Sequence, residues 1–153
     1  MSARAYLRWA TLLATAGAAF SGYLGGVRFF SGTCAFNDPC PFFLGYPACY
    51  TGFVLFSALL VTSLAGLVGH VESTWPMIAN LVIASLGSLF AGRLALIEFV
   101  ERGGGRSYGM GLPTCAYGLL FFAAMLVLSL VALRSHGVHS GRPAAPPRPQ
   151  LST

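Results

Sequence analysis

Four cysteines, Cys34, Cys40, Cys49 and Cys115, are the residues of this 153-residue chain best suited to chemistry. Thiols close disulfides, ligate soft metals, or exchange electrons as thiolates. Cys34 and Cys40 stand on either side of Asn37-Asp38-Pro39, a turn signal, so the two sulfurs are near enough in sequence to bridge. Cys49 and Cys115 each follow a proline at the start of a long apolar run, where a helix N-terminus points its positive dipole at the sulfur. An even number of cysteines facing an oxidising compartment argues for disulfides, and spacing does not choose among the connectivities.

The elements that carry these sulfurs are written twice. Gly45-Tyr46-Pro47-Ala48-Cys49-Tyr50-Thr51-Gly52 returns as Gly111-Leu112-Pro113-Thr114-Cys115-Ala116-Tyr117-Gly118. Residues 45–70 and 111–136 share 12 identities in 26 positions without a gap, which marks an internal duplication. Extending the same register backwards pairs Trp9 with Trp75, Ala18 with Ala84 and Gly26 with Gly92. The loop from Ser31 to Leu44 holds two cysteines and its counterpart from Glu101 to Gly111 holds none, so the copies differ most there.

Composition sets the solvent. The chain is 56% hydrophobic and 8% charged, with a mean hydropathy of +0.72, against about 25% charged in soluble domains. Apolar runs near 6–30, 47–69, 75–99 and 112–134 are each long enough to cross a bilayer, which takes about 20 helical residues. The expected fold is an all-α integral membrane protein. It is a four-helix transmembrane bundle over residues 1–136 built from two parallel helical-hairpin repeats, about 9–70 and 75–136, with a Pro-rich tail over 137–153. Arg4 and Arg8 before the first span, with Arg134, Arg142 and Arg148 at and after the last, place both termini in the cytoplasm and all four cysteines on the outer face. A bacterial inner membrane is the setting expected. The arginines are scattered singly, which excludes a nucleic-acid surface.

Other residues admit two readings. Ala14, Ala18, Gly22 and Gly26 recur every four residues, with Asn80, Ala84, Ser88 and Gly92 in the second copy. Such stripes seat one helix on another, here the first span on the third or, alternatively, the bundle on another membrane subunit. Asn80 is suited to a hydrogen bond across that seam. Arg28 and Arg93 fall near the outer interface, either as snorkelling anchors or flanking a cavity for a quinone headgroup or an anionic lipid. His70 and His136 read as interfacial caps, and no cluster of ligands for a metal accompanies them.

Cys34 and Cys40 in a C-x5-C pair after the first span, followed by Leu44-Gly45-Tyr46-Pro47 and Gly52, resemble the vitamin K epoxide reductase family of four-span, quinone-linked thiol oxidoreductases. The resemblance implies that Cys34 and Cys40 are a shuttle pair and Cys115 a remnant of the quinone-facing C-x-x-C. In this chain that motif reads Leu112-Pro113-Thr114-Cys115, so its first cysteine is absent, and Cys49 is the candidate substitute. Two functions are therefore expected. The first is a non-catalytic accessory or structural subunit of a larger membrane, electron-transfer complex. It is stabilised by outer-face disulfides, and its partners meet the small-residue helix faces and the Pro-rich tail. The alternative is a quinone-coupled thiol–disulfide oxidoreductase with an altered cysteine pair, the one reading that calls for a cofactor.

Overall fold

The computed structural model describes residues 2–32, 42–43, 45–69, 74–101 and 114–140. Helix α1 spans Ala3–Ser31, α2 Ala48–Val68, α3 Trp75–Glu101 and α4 Thr114–Ser140. A two-stranded antiparallel ribbon, β1 Phe42–Phe43 and β2 Tyr46–Pro47, precedes α2. Its turn passes through Gly45 at φ +83°, a left-handed conformation that glycine adopts without steric cost. All four helices are long and apolar enough to cross a membrane, with mean hydropathies of 1.2, 2.1, 1.7 and 2.4. The protein is an integral membrane four-helix bundle.

Local chemistry accounts for the helix ends. The Ser2 hydroxyl accepts from the Ala5 N–H at 3.3 Å and opens α1, and Gly32 at φ +67° closes it with its N–H on the Arg28 carbonyl. Pro47 is the N-cap of α2 and is paired in β2, so the proline ends the ribbon and Ala48 begins the helix. The last helix runs to Ser140, past the 137 boundary expected for the tail, because no proline interrupts it before Pro143. The tail from 141 lies outside the described residues.

Contacts run chiefly between α1 and α2 and between α3 and α4, with α2–α3 and α1–α4 closing the ring. Helices α1 and α3 therefore sit diagonally, which corrects the expected pairing of spans one and three. The two halves bury matching positions, but not in one gapless register. In the second helix of each half, Phe56, Leu59, Ser63 and Gly66 are buried, and so are Phe122, Met125, Ser129 and Ala132, 66 residues on. In the first helix Tyr6, Leu7, Ala10, Ala14, Gly17, Ser21 and Leu24 are buried, and so are Pro76, Met77, Asn80, Ala84, Gly87, Ala91 and Leu94, 70 residues on; Gly25 and Glu98 are buried without a buried counterpart. The helix bounds say the same, since Ser31 and Glu101 end helices 70 apart while Ala48 and Thr114 begin them 66 apart. The loop of the first half is longer by that difference. Trp9 thus matches Ala79 rather than Trp75, and Gly26 matches Leu96 rather than Gly92.

Phe56 and Phe122 meet on the pseudo-two-fold axis, stacked with ring centroids 4.1 Å apart and planes 8° from parallel. Gly17 and Gly87 back onto these rings, each presenting bare backbone where a side chain would collide. On one flank Phe20 of α1 reaches Tyr117 and Phe121 of α4 at 6.1 and 6.2 Å between centroids.

Candidate functional site

Chemistry-bearing side chains gather at the two ends of the bundle. At the end where α2 and α4 begin, Cys49 and Cys115 are each the second residue of their helix and hold equivalent places in the two halves. Both are half-buried free thiols. The last turn of the helix before each carries a charged residue, Arg28 in α1 and Glu98 in α3. Arg28 and Glu98 are 70 residues apart and so are themselves equivalents. The duplication has kept a charge at this position and reversed its sign.

Arg28 is half-buried and its guanidinium donates to the Gly32 carbonyl at the α1 C-cap. A cation in the last turn also complements the helix dipole. Glu98 is only 7% exposed, unusual for a carboxyl group inside a span. Arg93 is exposed on α3 at the position equivalent to Tyr23, more than a turn before Glu98. It does not take the place matching Arg28, which in the second half is held by Glu98.

Cys34 and Cys40 fall outside the described residues, as does His70; of His136 only the helical backbone is described. The ribbon ending at Pro47 places the chain that follows Cys40 directly before Cys49. Among the described residues no group of histidine, cysteine and carboxylate side chains is placed to hold a metal ion.

Between α1 and α2, at this same end, runs an apolar groove of about 240 Å³. Gly22, Gly25 and Gly26 form its floor and Phe30, Tyr50 and Phe53 its walls. The stripe Ala14, Ala18, Gly22, Gly26 therefore does not form one face against α3. Steps of four residues drift around a helix of 3.6 residues per turn. Ala14 is buried in the core, Gly22 backs onto the Phe53 ring of α2, and Gly26 faces open space.

The opposite end carries a polar cluster that the sequence reading only touched through Asn80. The Asn80 amide donates to Tyr6 Oη at 3.1 Å and to Ser63 Oγ at 3.0 Å, and the Thr62 hydroxyl donates to its Oδ1. The hydroxyls of Tyr6 and Ser129 share a hydrogen bond of 2.9 Å. Tyr6, Ser63, Asn80 and Ser129 are all fully buried and come from four different helices. Ser63 and Ser129 are repeat equivalents. Their identity in the duplicated stretch, as hydroxyls amid leucines, was the available signal.

A scan against protein-family models matches none, and searches of the curated proteins and of the solved structures find no match.

Proposed function

We propose that the protein is a membrane-embedded thiol–disulfide oxidoreductase whose working pair is Cys49 and Cys115. The observation that carries this reading is the placement of two free thiols as the second residues of equivalent helices, at the same end of the bundle. The residue missing from a C-x-x-C at the start of α4 is supplied by the other half of the duplication. In the forward step the two thiols close a disulfide and release two electrons and two protons, which a lipid-soluble quinone takes up to become a quinol. A dithiol substrate then reduces the disulfide by exchange and is itself oxidised. Cys34 and Cys40, joined through the ribbon to α2, are the pair suited to relay between substrate and Cys49. Buried Glu98 is the group beside Cys115 able to accept its proton. The cysteine end faces the oxidising side of a bacterial inner membrane and both termini face the cytoplasm.

The test is quinone reduction by the purified protein supplied with a reduced dithiol peptide. Cys49→Ser and Cys115→Ser are each expected to lower the rate by a factor of about 100 or more, since loss of either member of a unit that acts together removes nearly all its rate. An unchanged rate in Cys115→Ser ends this reading. The second reading is the accessory subunit of a larger electron-transfer assembly. It draws on the outward apolar faces of the spans, since only 22% to 33% of the residues in the apolar stretch of each span are buried within the bundle. A protein partner that co-purifies in mild detergent, with assembly unaffected by both serine variants, is the outcome it requires.

A further inference from the structure

The glycines one turn inside the thiols leave a gap on the bundle axis. Cys49, Gly52 and Phe56 are spaced by three and four residues along α2, and Cys115, Gly118 and Phe122 repeat the spacing along α4. Each trio therefore shares one helix face. It is the face that packs inwards, since Leu59 and Ser63 continue it in α2 and Met125 and Ser129 in α4, all buried. Gly52 and Gly118 sit in register with these residues and are nonetheless only half-buried. Among the described residues, a Cβ on Gly118 would meet nothing within 4 Å and one on Gly52 only the Ser21 Cβ, at 3.8 Å. Gly17 and Gly87 are bare because a ring lies against them. Gly52 and Gly118 are bare with room to spare.

Helices α2 and α4 stand on opposite corners of the bundle, and the stacked rings of Phe56 and Phe122 span the space between them. One turn nearer the cysteines, the positions facing across the same space carry no side chain. The thiols begin one turn further on, about 4.5 Å along each helix axis. The gap thus has an aromatic floor, backbone walls and a cysteine above each wall. In the chemistry proposed above, the oxidant must come within reach of both sulfurs. On that reading, we propose that the gap receives the ring of the quinone, with the Phe56–Phe122 pair beneath it. A flat π-system gains stacked or edge-on contact with such a floor, which a saturated chain of equal size does not. Gly52 and Gly118 then decide what reaches the thiols, because any side chain at either position occupies the ring's place.

Binding is separated from turnover in a Cys49→Ser, Cys115→Ser double variant, which has no pair to oxidise. Duroquinone is the probe, because its fully methylated ring does not add to thiols and it carries no isoprenoid tail. It should raise the melting temperature of the purified double variant in detergent, and the dose dependence of that rise gives an apparent Kd. Adding Gly118→Leu fills the gap and should weaken binding about tenfold. Gly118→Ala, whose methyl group meets no neighbour, should melt as its parent does and bind about threefold more weakly. Gly26→Leu adds the same bulk to the α1–α2 groove and should leave the Kd unchanged, which excludes partition into detergent as the cause. Equal binding in Gly118→Leu and its parent overturns the proposal, and so does the absence of any shift in the parent. Quinone reduction by the wild type reports on the thiol reading alone. If it is absent while duroquinone still binds through Gly118, the site stands and the oxidoreductase does not.

Discussion

Adding one methyl group at Gly17 or Gly87 is expected to destabilise the bundle by about 2–3 kcal/mol, the upper range for overpacking a filled core. An alanine Cβ at Gly17 would lie 2.4 Å from Cδ1 and Cε1 of Phe56, and one at Gly87 would lie 2.4 Å from the same atoms of Phe122. Carbon atoms rest at about 3.5–4.0 Å, so roughly 1 Å must be found. Neither ring can yield it alone. Phe56 and Phe122 are 2% and 1% exposed and stack face to face, so a push on one is a push on the other. Helix α1 or α3 must then move outwards and loosen its neighbours. Unfolding titrations in mixed micelles should show both losses, and Phe56→Leu should restore most of the stability of Gly17→Ala while Phe122→Leu does so for Gly87→Ala. If both alanine variants match the wild type, the stacked pair does not set the helix spacing.

That pair also shows which parts of the fold were legible in the sequence. The four spans were, because apolar length is all that a bilayer asks of a helix, and the observed ends lie within a few residues of the expected ones except at the C-terminus. The match of Phe56 to Phe122 was legible too, since the second helix of each half repeats without a gap. The neighbours of these rings were not. The gapless register pairs Gly17 with Ile83, and only the longer first loop shifts the match to Gly87. A change in loop length leaves no mark on hydropathy, so the coincidence of Trp9 and Trp75 looked like alignment. The same shift hid the equivalence of Arg28 and Glu98, which is what gives the cysteine end its paired charges. A strict four-residue stripe was likewise misleading, because a straight helix presents a mixed three-and-four spacing to its neighbours. The polar cluster escaped for a different reason. A serine in a leucine run is as compatible with back-bonding to its own helix, as Ser21 and Ser85 do here, as with reaching across to another.

Losing Asn80 should rank beside losing Gly17 or Gly87. In a bilayer an apolar side chain gains little by moving from lipid to the protein interior, so packing and hydrogen bonds carry the helix–helix energy. Asn80 bonds from α3 to both α1 and α2, and Tyr6 passes the connection on to Ser129 of α4. Interhelical hydrogen bonds in membranes contribute roughly 0.6–2 kcal/mol each. With three such partners, Asn80→Ala is expected to cost about 2–4 kcal/mol, cavity included. Asn80→Leu fills the volume without the bonds, so the difference between the two variants separates packing from polarity. The Asn80→Ala and Tyr6→Phe changes should not add, because Tyr6 Oη accepts from Asn80 while sharing its other bond with Ser129. A coupling of about 1 kcal/mol in that double-mutant cycle is the expected sign of one four-helix network. Strict additivity would reduce it to separate contacts, and the bundle would then be held together at the cysteine end and the aromatic stack instead. The location matters for function as well as stability. On the proposed thiol chemistry, a clasp at the end opposite Cys49 and Cys115 keeps this fixed point of the bundle away from the helix starts that carry the thiols.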